Sequence, residues 1–133
     1  VKFFFDNNLS PHLAASIHAL ASAEGDEVHH LRDIFAPATP DEEWIRQLAK
    51  EGGWIVVCGD LNIVRTRAQL PVWRGAGLVG FFLKKGWMNI GPWDQAWRLV
   101  KWWPTMVKQA RIAAPGSTYG LAVNPAGKVE TFP

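Results

Sequence analysis

The sequence predicts an α/β protein built on a mostly parallel sheet with helices on both faces. Three observations carry this. Phe3-Phe4-Phe5 and Trp54–Cys58 are short runs apolar on both faces, which suits strands covered from both sides. Between and beside them lie stretches of helical periodicity long enough to serve as crossovers. Asp6 directly follows the first run, and Gly59-Asp60 closes the second. Open parallel sheets place their ligands at the carboxyl ends of strands, so both carboxylates stand where such a sheet puts its chemistry.

The first element is the strand of Phe3 to Phe5. Asn7, Asn8 and Leu9 make a sharp turn. Ser10 is suited to cap a helix whose first position is Pro11. That helix runs to about Ala23, with Leu13, Ala14, Ile17, Leu20 and Ala21 at helical spacing and Gly25 as its stop. Val28-His29-His30-Leu31 reads as a second strand. Adjacent strand residues point to opposite faces, so His29 and His30 are poorly placed to share one metal ion.

A loop, Ala36-Pro37-Ala38, leads to Thr39 as an expected N-cap. Pro40 follows at the first helical position and Glu42 completes a capping box. This helix reaches about Lys50 with Trp44, Ile45, Leu48 and Ala49 inward, and Gly52-Gly53 ends it. Trp54–Cys58 is the next strand. The order β-α-β-α-β, joined by right-handed crossovers, is the start of a doubly wound sheet.

The second half is less regular. Ile63 to about Gln69 reads as a short basic helix. Gly77–Leu83 reads as a strand followed by the turn Lys84-Lys85-Gly86. Gly91-Pro92 opens a long helix to about Arg111. Trp93, Trp97, Val100 and Val107 mark one face, which assigns Trp93 and Trp97 to the core or an interface. Pro104 is expected to kink or split it. Trp87, beside the two lysines, is expected at the surface. Tyr119–Asn124 and Lys128–Phe132 form a terminal hairpin. The chain reads as a single domain over residues 1–133, with a core over 1–63 and a basic, Trp-rich half over 64–133.

No apolar run approaches the roughly 20 residues that span a bilayer. Cys58 is the lone cysteine, which excludes an intramolecular disulfide and a multi-cysteine zinc site. With no leader-like opening segment, the expectation is a cytoplasmic protein. The net charge of +2 conceals a division. Residues 1–60 hold ten acidic and four basic side chains, and residues 61–133 hold two acidic and ten basic ones. An acidic half suits a cation and a basic half suits phosphate backbones. An uneven but merely solvated surface is the plainer alternative.

Three carboxylate positions qualify for chemistry: Asp6, the Asp41-Glu42-Glu43 cluster, and Asp60. Gathered at one edge they would repel unless a cation neutralised them. Mg²⁺ and Mn²⁺ take oxygen ligands of this kind, and a bound water can then attack phosphorus. Each position also has an ordinary reading. Asp6 could cap its turn and Asp60 could be turn chemistry. Glu42 and Glu43 are better read as complements to the helix dipole, while Asp41 stands even between the two roles.

Four segments, taken in order, resemble the PIN-like nucleases, and in particular the small branch known as VapC-type toxins of toxin–antitoxin pairs. They are Lys2–Leu9 (KFFFDNNL), Val28–Asp33 (VHHLRD), Pro40–Ile45 (PDEEWI) and Ile55–Ile63 (IVVCGDLNI). The resemblance covers residues 2–63 well and the rest loosely. It implies a PIN-like three-layer α/β/α fold and divalent-metal-dependent ribonuclease chemistry. It further implies Asp6, Asp41 and Asp60 as metal ligands to Mg²⁺ or Mn²⁺, with Glu42 and Asn62 as additional candidates. Asn7 and Asn62 stand where the family often carries acids, which lightens the site. This motivates an alternative in which a weakened domain binds RNA or protein without cutting. Asn8 matches the family asparagine and is a substrate-positioning candidate. The implied partners are RNA, a cognate antitoxin and a second copy of the chain. Arg65, Arg67, Lys84 and Lys85 are candidate phosphate contacts, joined more distantly by Arg74, Lys101 and Lys108. A receiver or phosphatase using Asp6 as nucleophile ranks last, because Asn7-Asn8 follow where such folds carry acids.

Overall fold

The computed structural model describes residues 1–59 and 69–132. The chain forms a three-layer α/β/α fold around a six-stranded sheet. Strand β1 is Lys2–Phe5, β2 is Glu27–His30, β3 is Trp54–Cys58, β4 is Val79–Leu83, β5 is Thr118–Leu121 and β6 is Glu130–Thr131. Their order across the sheet is β2-β1-β3-β4-β5-β6. All neighbours are parallel except the last pair, the expected hairpin.

The pleat of β1 sorts its three phenylalanines between the layers. Phe3 and Phe5 face helices α1 (Pro11–Ala21) and α5 (Pro92–Ile112), with the Phe3 and Trp103 rings 4.4 Å apart. Phe4 faces α3 (Asp41–Glu51) and α4 (Gln69–Ala76), its ring 5.0 Å from that of Trp44. Both faces of β1 are thus dry, which is why a run of three aromatic residues suits a central strand. A short helix, α2 (Leu31–Ile34), follows β2.

Local signals act largely where the sequence places them. The Ser10 side chain accepts from the His12 N–H at 3.0 Å, with Pro11 at the first position. Gly52 and Gly53 both take φ of 77°, which ends α3 in a conformation that favours glycine. One cap differs. Pro40, not Thr39, precedes α3, and no side chain caps it. Thr39 Oγ1 instead donates to the Ala36 carbonyl at 2.7 Å, a turn bond nearer in sequence. A capping box does occur at α2, where the His30 N–H donates to Asp33 Oδ2 and the His30 ring accepts from the Arg32 N–H.

Three further expectations are corrected. Trp93 and Trp97 are 88% and 50% exposed, while the buried side of α5 is Leu99, Trp102, Trp103, Met106, Val107 and Ala110. Trp93, Trp97 and Val100 are rotated away from the sheet while Val107 reaches it, so the core assignment of the two tryptophans fails and the interface alternative stands. Trp87 is fully buried and its indole N–H donates to the Leu121 carbonyl at 3.0 Å. The turn after β4 folds back beneath α5, and Gln95 donates to the Trp87 carbonyl at 3.0 Å to hold it. Finally, α5 continues through Pro104 as one helix, so the expected split does not occur. The hydrogen bond that proline removes would have gone to Val100, which lies on the solvent side at 42% exposure, and the packed residues on either side hold the helix. The basic helix expected over Ile63–Gln69 lies almost wholly outside the described residues, and α4 follows it.

The crossovers carry an unusual feature. The steps β2 to β3 and β3 to β4 move one way along the sheet with α3 and α4 on one face. The step β1 to β2 moves the other way with α1 on the opposite face, so these three share one hand. The step β4 to β5 returns to the first direction, yet α5 lies beside α1. It therefore has the opposite hand, against a strong general preference for right-handed connections.

Candidate active site at the carboxyl edge of the sheet

Asp6 is the first residue past β1. Its N–H donates to the Val57 carbonyl at 3.2 Å, so it still belongs to the β1–β3 ladder. Its side chain is only 3% exposed. Oδ1 accepts from the Asn8 N–H at 3.1 Å and from the Gly59 N–H at 3.4 Å. The carboxylate is therefore held by the turn that follows it and by the end of the neighbouring strand. Both readings of Asp6, as a turn-holder and as a group presented at the edge, meet in one geometry. Continuing the pleat puts Asp6 on the same side of the sheet as Phe4, the side that α3 covers.

The turn after Asp6 is tied to the segment after β2. Asn7 Oδ1 accepts from Arg32 Nε at 2.9 Å, and Asn7 Nδ2 donates to the Pro37 carbonyl at 3.2 Å. Beneath it, His30 is fully buried. Its Nδ1 accepts from the Arg32 N–H at 3.0 Å, so Nε2 carries the proton and donates to the Leu9 carbonyl at 2.6 Å. Strand alternation separated His29 from His30 but gave no sign of this pair of tethers. Arg32 lies within the VHHLRD segment of the resemblance, but nothing there pointed to its partner 25 residues away.

Asp41 is the first residue of α3, the helix that crosses from β2 to β3. A crossover helix runs against its strands, so Asp41 starts at the edge where Asp6 ends. Asp41 is half-buried, and its Oδ1 accepts from Trp44 Nε1 at 3.0 Å, which anchors the carboxylate to a core indole. Glu42 is exposed and pairs with Arg46 one turn on, so its side chain serves the helix surface. Asn8 is exposed at the turn, close to Gly59. Lys84 and Lys85 follow β4 at the same edge, two strands from β1. Lys84 is paired with Glu130, whereas Lys85 is exposed. Asp60, Asn62, Arg65 and Arg67 lie outside the described residues. Among the described residues no three His, Cys, Asp or Glu side chains stand where they could hold a metal ion.

A groove of about 430 Å³ between α1 and α5, lined by Ile17, Leu20, Val100, Pro104 and Lys108 among others, is a separate feature. It is mainly apolar and follows the later turns of both helices, away from the Asp6 edge.

A family model described as a PIN-like domain matches residues 1–85, more than half of the chain. The chain belongs to the PIN-like domain family. The matched span runs from β1 through Lys85 and so includes Asp6, Asp41 and the two lysines. No curated protein and no solved structure matches the chain. PIN-like domains are generally nucleases, hydrolytic enzymes that typically use divalent metals. The donor chemistry here fits that use in kind, since Asp6 and Asp41 both offer carboxylate oxygens of the type a hard cation takes. In this PIN-like domain those two are the described members of the candidate set, and Asp60 and Asn62 lie outside the described residues.

Proposed function

We propose that this PIN-like domain is a divalent-metal-dependent ribonuclease that hydrolyses RNA phosphodiester bonds. The observation that carries the reading is Asp6: a carboxylate buried to 3% exposure, held by two backbone N–H groups at the carboxyl edge of a parallel sheet. The residues that would hold Mg²⁺ or Mn²⁺ are Asp6, Asp41 and Asp60, with Glu42 and Asn62 as further candidates. When bound, such an ion activates a water and offsets charge developing on the phosphate. The protein's own part is positional. The Asn8 and Gly59 amides aim Asp6, and the Trp44 indole aims Asp41. Asn8 orients the substrate, and Arg65, Arg67, Lys84 and Lys85 hold phosphates.

The likeness of the first 63 residues to VapC-type toxins supports a toxin held silent by a cognate antitoxin. The test is cleavage of RNA by purified protein with Mn²⁺ and with EDTA, beside Asp6→Asn and Asp60→Asn. Cleavage that needs the ion and is lost in both variants is expected. Undiminished cleavage by both variants would overturn the site. The tethering of Asn7 to Arg32 and Pro37 favours one second reading, since it gives that residue a structural use where an acid would be catalytic. A protein that binds RNA but neither binds Mn²⁺ nor cuts would establish that reading instead. Growth arrest on induction of the wild type, absent with Asp6→Asn, tests the toxin role.

A further inference from the structure

We infer that Trp93 and Trp97 form a stacking platform for unpaired bases of an RNA strand that crosses the Asp6 edge. The inference rests on the ribonuclease reading for its ligand and adds a second contact region to it. The starting observation is a contrast among the tryptophans. Six of the eight are buried in the two core layers, while Trp93 and Trp97 project from the first two turns of α5 at 88% and 50% exposure. Leaving two indoles in water has no packing benefit, whereas flat aromatic faces bind unpaired bases of any sequence.

Their place in the fold connects them to the site. Helix α5 follows β4, so it begins at the same sheet edge where β1 ends in Asp6. The turn Trp87–Asn89 bridges the two. Gly59, whose N–H donates to Asp6, has the Met88 sulfur 2.9 Å from where a side chain would begin. Gln95 then fastens the first turns of α5 to the Trp87 carbonyl. Trp93 and Trp97 follow that turn in sequence and stand one helical turn apart, about 6 Å along the axis.

Trp97 is also pre-oriented. Its indole N–H donates to Asp94 Oδ1 at 3.3 Å, which both fixes the ring and occupies the nearest acid. The Arg98 guanidinium lies over the ring, 4.5 Å from its centroid, and Arg98 is itself held by the Val123 carbonyl at 3.2 Å. One ring face is thus backed by a cation, and the residue stays 50% exposed to receive a base. Lys101, a turn beyond Trp97, is exposed and suits a phosphate. The cations of this helix, Arg98, Lys101 and Lys108, complement the negative charge of an RNA strand.

The test is binding of a fluorescein-labelled single-stranded RNA, and of its duplex, to the full chain in EDTA, read by fluorescence anisotropy. Metal-free binding separates this inference from the nuclease reading, which is scored by cleavage. Trp93→Ala with Trp97→Ala is expected to weaken single-strand binding by at least about tenfold. Trp93→Phe with Trp97→Phe should recover most of it, and the duplex should bind more weakly than the single strand. Both residues are exposed, so an unchanged circular dichroism spectrum is expected. Equal affinity of the alanine variant and the wild type, equal binding of duplex and single strand, or no RNA binding by the wild type would each overturn the platform. So would a change in oligomeric mass without a change in RNA affinity, which would assign this face to protein contact.

Discussion

Replacing Asp6 separates what this carboxylate holds from what it does chemically. A hydrogen bond to a charged acceptor contributes about 1.5–3 kcal/mol. The Asn8 bond, at 3.1 Å, lies within the usual range, and the Gly59 bond, at 3.4 Å, is long and weaker. Asp6→Ala removes the acceptor from both donors at an almost fully buried position. Its expected cost is about 2–4 kcal/mol of folding stability. Asp6→Asn keeps a carbonyl oxygen for the same donors, so its expected cost is about 1 kcal/mol. Urea denaturation followed by circular dichroism measures both. Neither variant carries a carboxylate, so both should lose RNA cleavage by more than about a hundredfold, the upper range for groups one step removed from a metal. If Asp6→Ala proved as stable as Asp6→Asn, the turn-holding role would be wrong. If Asp6→Asn cut RNA at the wild-type rate, the chemical role would be wrong.

Other outcomes can be checked alongside. Gly80→Ala places a methyl 2.5 Å from Trp73 Cζ2 and 2.9 Å from Phe82 Cε2, both in fully buried rings, and should cost about 1–3 kcal/mol. Adding Trp73→Phe should recover part of that loss, a coupling visible in a double-mutant cycle. Asn7→Ala removes exposed bonds to Arg32 and Pro37 and should cost only about 0.5–1.5 kcal/mol, while lowering cleavage through a looser segment before Asp41. Trp44→Phe deletes the donor to Asp41 and should weaken Mn²⁺ binding, measured by calorimetry, more than Phe4→Leu, which alters the same core without touching that carboxylate.

The sequence made the first half of the fold legible because its signals are local. Three phenylalanines in a row, Ser10-Pro11 and Gly52-Gly53 each act within a few residues of themselves. The family likeness was legible for the same reason, since its motifs sit at strand ends and a helix start. The rest depended on contacts between distant residues. Helical spacing showed that Trp93 and Trp97 share a side of α5, but not which side meets the sheet. That is decided by Trp102, Trp103 and Met106, whose partners lie on β1 and its neighbours. Trp87 was misplaced by its charged neighbours, because its true partner is the Leu121 carbonyl 34 residues on. In the candidate site, Asp6 and Asp41 were singled out by their places at a strand end and a helix start and by the family resemblance. The tethers of Asn7 and His30 were not, since a hydrogen bond across 25 or 21 residues leaves no mark in a pattern of spacing.

Parallel strands have one more consequence. Each of α1, α3, α4 and α5 connects strands that point the same way, so all four run back against them. Their amino-terminal ends therefore gather at the edge where Asp6 stands, each carrying roughly half a positive charge from its aligned peptide dipoles. That field belongs to the backbone. It tempers the repulsion among the acids there, and it draws phosphate even where Lys84 is occupied by Glu130. Neutralising the lysines should weaken that attraction without abolishing it, because the direction of the chain sets the polarity of the edge before any side chain is chosen.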